Sequence, residues 1–315
     1  MPNLFIAGLP KENMSILDSV GNTPLIDVDG VWVKLEHLNP SGSVKDRIAK
    51  YIVEHAEADG MLKKGYTIVE ATSGNTGIAF SFVAASKGYR MIAVMPKNMS
   101  RERMQIMRGY GAKVLFVKRD CVSCAVEKAR KISARPKFYA PRQFENPWNI
   151  EEHMKGMGIE IINRMGKIDC FVAGVGTGGT LIGVGSAIRK KFPEAKIIAV
   201  EPAECALLSG SGYARHKIYG LHNGYTCSHH SIEGIGDGFI PKIIEENRSL
   251  IDDVIRIKSD DAINAARKLA EEGYFVGPSS GANYLAAKKM STQYGSVVTL
   301  FPDRGDRYLS EGFFK

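Results

Sequence analysis

The sequence predicts an α/β protein of two lobes, built on doubly wound, mostly parallel sheets with a shared cleft between them. Three observations predict it. Short apolar strands alternate with helices along much of the chain. The strands are apolar throughout rather than alternating, as expected for a parallel sheet covered on both faces. The 315 residues suffice for two cores.

An apolar helix begins at Ile48, after the polar run Pro40-Ser-Gly-Ser-Val-Lys-Asp-Arg47. Residues 66–70 (YTIVE) form a strand that leads into Thr72-Ser73-Gly74-Asn75-Thr76-Gly77, followed by an apolar helix over 78–87. Strand 91–95 (MIAVM), helix 100–110 and strand 113–117 come next. Strand 169–173 (DCFVA) feeds the loop Gly174-Val-Gly-Thr-Gly-Gly-Thr180, with helix 181–191 and strand 197–200 (IIAV) beyond it. In such sheets ligands bind past the carboxyl ends of the strands, where both polar turns belong. Residues 208–231 are a Gly-, Ser- and His-rich interruption, read as a surface excursion.

Composition excludes several classes. Hydrophobic residues make up 44% and charged residues 24%, as in ordinary globular proteins. The net charge of +8 comes from Lys and Arg scattered among acidic residues, which argues against a nucleic-acid groove but attracts anionic substrates. Apolar runs such as 4–9 are too short to span a bilayer, and the N-terminus does not read as a signal peptide. Five irregularly spaced cysteines point to a reduced, cytoplasmic setting. Cys121-Val-Ser-Cys124 has redox or metal spacing but lacks a second pair, and reads as plain helix and core. His222, Cys227, His229 and His230 read as a polar loop, and Glu151, Glu152 and His153 as an exposed helix face. No metal site is expected.

Three segments carry chemistry. The 174–180 loop satisfies the G-x-G-x-x-G dinucleotide fingerprint at Gly174, Gly176 and Gly179, with Glu201 at the end of the next strand. Taken alone it suits a nicotinamide site and a simpler phosphate site equally. The hydroxyls of Thr177 and Thr180 suit a terminal phosphate dianion better than a pyrophosphate diester. The 72–77 turn offers backbone N–H groups at a helix start, three hydroxyls and an amide, a receptor for a small carboxylate, although Ser, Thr and Asn are also ordinary helix caps. Lys45 sits among Ser41, Gly42 and Ser43 before an apolar helix, where desolvation lowers an amine's pKa and frees it for imine formation. An imine-forming amine, a carboxylate receptor and a phosphate cradle are what pyridoxal phosphate chemistry on an amino acid requires.

From about Met14 to Leu309 the chain resembles the cysteine synthase (O-acetylserine sulfhydrylase) and cystathionine β-synthase group of pyridoxal phosphate enzymes, of fold type II. The resemblance rests on Gly21-Asn-Thr-Pro-Leu25, Asn39–Arg47, Thr72–Gly77, Gln143-Phe-Glu-Asn-Pro147, Gly176–Thr180, Gly234-Ile-Gly-Asp-Gly-Phe-Ile-Pro241, Ser279-Ser-Gly-Ala282 and Pro302–Leu309. It implies a larger phosphate-binding lobe (1–46 and 156–315) and a smaller lobe (47–155) that closes on substrate. Lys45 should form the internal aldimine and move protons, Asn75 should bond the ring oxygen, and Gly176, Thr177, Gly178, Gly179 and Thr180 should hold the phosphate. Thr72, Ser73, Thr76 and Gln143 should receive the substrate carboxylate. Ser279 should face the pyridine nitrogen, or Ser280 if the register is shifted by one.

The implied reaction is β-replacement through an α-aminoacrylate, making cysteine from O-acetylserine or another activated serine and sulfide. The same intermediate also serves desulfhydration of cysteine, use of phosphoserine, and cystathionine synthesis. A nicotinamide oxidoreductase and a non-catalytic regulatory homologue are the more distant alternatives. A homodimer, and docking onto serine acetyltransferase as in some relatives, are further implications. The chain departs from the usual pattern at Trp148–His153, at Lys155-Gly-Met-Gly158, at Pro278 and in the longer 208–231 excursion.

Overall fold

The structure, a computed structural model, describes residues 14–119, 121–210, 227 and 229–314. Much of the 208–231 excursion, His222 included, lies outside the described residues, as does the apolar run at 4–9.

Two sheets organise the chain. Strands β1 (Leu25–Val28), β2 (Val31–Lys34), β7 (Cys170–Gly174), β8 (Lys196–Pro202), β9 (Asp253–Ile257) and β10 (Val297–Leu300) form the larger, in the order β1-β2-β10-β7-β8-β9. Its pairings are parallel except for the β1–β2 hairpin. Strands β3 (Thr67–Ala71), β4 (Arg90–Pro96), β5 (Lys113–Val117) and β6 (Phe138–Tyr139) form a fully parallel second sheet, ordered β5-β4-β3-β6.

Side-chain alternation along each strand decides which helix it meets. In β7, Phe171 and Ala173 point into a cluster with Met157 and Ile161 of α6 (Met157–Arg164) and Leu181, Val184 and Ile188 of α7 (Gly179–Lys191). Cys170 and Val172 point the other way, onto Ala262 and Leu269 of α9 (Ser259–Glu271) and Ala282, Ala286 and Met290 of α10 (Pro278–Ser291). In the second sheet, Ile68, Met91 and Ala93 meet α1 (Lys45–Ala58) and α2 (Asn75–Lys87). Val69, Ala71 and Val94 meet Ala125 and Ala129 of α4 (Val122–Ser133). Both sheets are therefore covered on both faces, which is why their strands read as continuous apolar runs. Helices α3 (Arg101–Gly109) and α5 (Pro147–Lys155) complete the helix set, and α8 (Lys242–Glu246) is a single turn.

The predicted strand 113–117 coincides with β5, and the other predicted elements agree to within a few residues at their ends. Three helices start earlier than their apolar patterns: α1 at Lys45, α2 at Asn75 and α7 at Gly179. The polar residues of the chemical motifs are themselves the first helical turns, so hydrophobic periodicity alone places the starts too late. Among the described residues no helix is long and apolar enough to cross a membrane.

The cysteine reading needs correction. Cys121 is bonded to Cys124 and Cys205 to Cys227, leaving Cys170 as the free, buried thiol. Cys205 and Cys227 are 22 residues apart, and only the return of the chain after the excursion brings them together. Glu152 and His153 are also not exposed: α5 packs between α1 and α7, which buries both side chains.

Candidate active site

The carboxyl ends of β3, β7 and β10 open onto one cavity. Lys45, Ser73, Asn75, Thr76, Gln143, Gly176, Thr177, Gly178, Thr180 and Ser279 all line it, although the chain separates them by up to 234 residues. Lys45 is the first residue of α1 and reaches the cavity from its N-terminal end. Burial holds its amine below the ordinary lysine value, while the nearby carboxylates of Asp237 and Asp303 pull the other way. A desolvated amine of this kind is uncharged more of the time, which favours attack on an aldehyde.

The glycine loop is shaped by what surrounds it. Gly178 has φ +88° and caps α7, and a Cβ there would stand 2.5 Å from Ile244. A Cβ on Gly176 would stand 2.3 Å from the carbonyl oxygen of Gly234. Backbone thus faces the cavity at the N-terminus of a 13-residue helix, where N–H groups and the helix dipole favour an anion. Thr180 Oγ1 lies 3.2 Å from His153 Nε2, and Thr177 Oγ1 accepts from Asn149 Nδ2 at 3.0 Å. The residues present therefore fit a phosphate-bearing aldehyde: an amine, a backbone cradle and, across the cavity, the hydroxyl of Ser279.

The 72–77 loop is braced from outside. Thr76 donates its hydroxyl to Gln143 Oε1 at 2.6 Å, and Gln143 Nε2 donates to the Ala71 carbonyl at 2.8 Å. Asn75 donates to Asp303 Oδ2 and accepts from Arg307 Nη1, both at 2.6 Å.

Some expected contacts fall elsewhere. Thr72 is fully buried behind the loop, not in the cavity wall: its Oγ1 accepts from the N–H groups of Gly74 and Gly77 at 2.8 and 3.0 Å. Gly179 also stands back from the cavity, its N–H turned to Thr177 Oγ1 at 3.3 Å and its Cα face against Asn149. Of the serine pair, both buried, Ser279 lines the cavity and Ser280 does not, because the first turn of α10 points successive residues in different directions. Glu201 is spent on the chain beyond β8, accepting from the N–H groups of Leu208 and Ser209 at 2.7 and 3.1 Å. It is absent from the cavity lining, which removes the acidic residue that a nicotinamide reading requires.

Three lining or facing groups escaped the sequence reading. Arg103, almost fully buried, lies over Gly74 and stacks 4.5 Å above the Tyr308 ring while pairing with Glu233. Asp237 lies in the cavity wall, where burial pushes its carboxyl above the ordinary value against the pull of His230 and Lys45. Asp303 accepts from both Asn75 and, at 2.5 Å, the Tyr308 hydroxyl. Asp237 and Asp303 sit inside the motifs Gly234–Pro241 and Pro302–Leu309, which was the available signal; Arg103 had none.

Known proteins are similar to this chain over almost their whole length. A cysteine synthase of Staphylococcus aureus (strain Mu50) is 41% identical over 97% of this chain and 97% of its own length. The crystal structure of an O-acetylserine dependent cystathionine β-synthase from Helicobacter pylori matches with a TM-score of 0.86 at 36% identity, covering 97% of this chain and 100% of that one. A hydrogen sulfide-producing enzyme from Fusobacterium nucleatum matches with a TM-score of 0.84 at 40% identity, covering 95% of this chain and 90% of that one. Residues 16–303 match the family described as pyridoxal-phosphate dependent enzyme. With an amine, a glycine cradle and a braced carboxylate loop on one cavity, and with relatives alike over almost their whole length, the chain belongs to the pyridoxal-phosphate-dependent enzyme family.

Proposed function

We propose that the chain catalyses β-replacement on an activated serine, making L-cysteine from O-acetylserine and sulfide. The observation that carries this is the convergence of Lys45, the 72–77 loop and the 174–180 loop on one cavity. Bound there, pyridoxal phosphate supplies an electron sink that labilises the α-proton and the β-substituent of an amino acid. Lys45 Nζ would hold its aldehyde end and would take the α-proton of the amino acid. Backbone N–H groups around Gly176 and Gly178, with the Thr180 hydroxyl, would hold the phosphate end. Ser73, Thr76 and Gln143 would receive the substrate carboxylate, and Thr72 stiffens the turn behind them. Asn75, fixed by Asp303 and Arg307, would orient the ring. Ser279 would offer the pyridine nitrogen a neutral hydroxyl, which would weaken the electron sink and favour loss of a β-substituent over transamination. The segment 47–155 acts as the smaller lobe and excludes water when it closes.

Purified protein should absorb in the violet, lose that band on borohydride treatment, and carry the reduced label on Lys45 by peptide mass. With O-acetylserine and sulfide it should release cysteine. A label on another residue, or no label, would refute the reading. A second outcome of the same site, sulfide release from cysteine, is favoured by the likeness to the Fusobacterium nucleatum enzyme. Sulfide evolution from cysteine alone, compared with cysteine formation from O-acetylserine, separates the two.

A further inference from the structure

The Cys121–Cys124 pair lies away from the cavity and plays no part in the proposed reaction, yet it is not plain core. Both residues are half-buried, and they flank the start of α4 with their Cα atoms 5.3 Å apart. Cys121 is the N-cap: it stands outside the helix, and its Sγ accepts the N–H of Cys124 at 3.3 Å. It follows Lys118-Arg119-Asp120, a run with a net positive charge in which Lys118 and Arg119 are exposed. A thiolate at a helix N-cap is stabilised by the helix N–H groups, which makes that sulfur both a good leaving group and a good point of exchange. The contrast with the other cysteines is chemical. Cys205 is fully buried within its disulfide, and burial pushes the Cys170 thiol up to about 12, leaving it inert.

We propose that Cys121–Cys124 is a reversible thiol–disulfide exchange site whose electron donor is a low-molecular-weight thiol. The thiolate RS⁻ attacks Cys121 Sγ. The bond between the two cysteines breaks, its electron pair leaves on Cys124 Sγ, and solvent supplies the proton. A second RS⁻ attacks the outer sulfur of the mixed disulfide, releasing Cys121 as a thiolate and RS–SR as product. Two thiols are oxidised and one disulfide is reduced; the reverse sequence, with RS–SR as oxidant, re-forms the pair. A separation of three residues keeps the two sulfurs together after opening, so reclosure competes with capture by solvent reagents. The α4 helix packs behind β3 and β4, so the exchange occurs on the face of that sheet opposite α1 and α2.

The test uses the full-length, cofactor-loaded protein in graded mixtures of reduced and oxidised glutathione, with free thiols then blocked by N-ethylmaleimide and peptides weighed. The 121/124 pair should pass from disulfide to doubly labelled as one two-electron step, from a tenth to nine-tenths over a ~100-fold change in [thiol]²/[disulfide]. Over that range Cys170 should stay unlabelled and circular dichroism unchanged. A pair that stays bonded until the protein is unfolded overturns the proposal, as does a pair doubly labelled even in excess oxidised glutathione. The Cys124→Ser variant should hold glutathione as a mixed disulfide on Cys121. A soluble, folded variant with Cys121 free and unmodified in excess oxidised glutathione also overturns it. None of these readouts depends on the β-replacement reaction, so its failure would leave them intact.

Discussion

Replacing Arg47 by Met tests how α1, and with it Lys45, is fastened to the larger sheet. The Arg47 guanidinium gives Nε and Nη2 to Glu36 at 2.7 and 2.9 Å, and Nη1 and Nη2 to Glu160 at 2.8 and 2.7 Å. Glu36 is fully buried in the segment after β2, and Glu160 lies on α6, so one side chain ties three elements. Met fills much of the space but takes the guanidinium from Glu36, Glu160 and Glu152, leaving Glu36 to the neutral donors of Thr23 and Asn39 and Glu160 to Lys34, whose Nζ is 2.6 Å away. Removing one partner from a buried ion cluster costs about 3–5 kcal/mol. For a chain of this length that lowers the thermal midpoint by roughly 5–8 °C.

The sign with pH is distinctive. Burial pushes the Glu36 carboxyl up, but the charge and hydrogen bonds of Arg47, with Thr23 and Lys34, outweigh it and leave it below the ordinary 4.5. Burial is likewise outweighed at Glu160, where Arg47 and Lys34 hold the carboxyl at about 2. Depressed carboxyls stabilise the fold above the unfolded value of 4.5, and the wild type loses that stability as pH falls towards 2. In Arg47→Met, Thr23 and Lys34 alone no longer outweigh the burial of Glu36 and its pKa rises above 4.5, so the variant gains stability as acid neutralises that carboxyl. The deficit, measured by urea unfolding, should therefore be largest at pH 7 and shrink towards pH 4.5. A deficit under about 1 kcal/mol at pH 7, the size of a surface pair, refutes the reasoning. So does a deficit that grows between pH 7 and pH 5.

Gly176→Ala should weaken cofactor retention about 5- to 150-fold by equilibrium dialysis, since the new Cβ meets the Gly234 carbonyl at 2.3 Å and overpacking costs about 1–3 kcal/mol; unchanged retention counts against the cradle. Asp237→Asn removes a carboxylate that raises the Lys45 pKa against burial, so the pH midpoint for reconstituting cofactor-free protein should move down. An upward or absent shift would show that the two groups do not interact. Gln143→Ala unfastens Thr76 from the Ala71 carbonyl and should raise KM for the amino-acid substrate about tenfold, roughly one hydrogen bond, with a smaller change in kcat. An unaltered KM would mean the brace has no bearing on substrate binding.

The parts of this protein that were legible in the sequence are those written in adjacent residues. Apolar runs such as 91–95 specify parallel strands because a strand buried on both faces has no polar positions to interrupt it. The 72–77 and 174–180 turns point to anion-binding loops because they gather glycines and hydroxyl residues between a strand and a helix more densely than a helix cap needs. What the sequence alone could not decide are contacts between distant segments. Thr72 and Ser73 are neighbours, but only the packing of β3 against β4 and α2 turns one inward and the other to the cavity. Ser279 and Ser280 are chemically identical, and the direction of α10 chooses between them. The pairing of Asn75 with Asp303 spans 228 residues, and the burial of Glu152 and His153 depends on helices on either side of α5. Cys205–Cys227 likewise forms because the folded chain brings sulfurs 22 residues apart within bonding distance. Local sequence sets backbone preference and hydrophobic period; which side chains meet is fixed only when the sheets close over their helices and orient every residue at once.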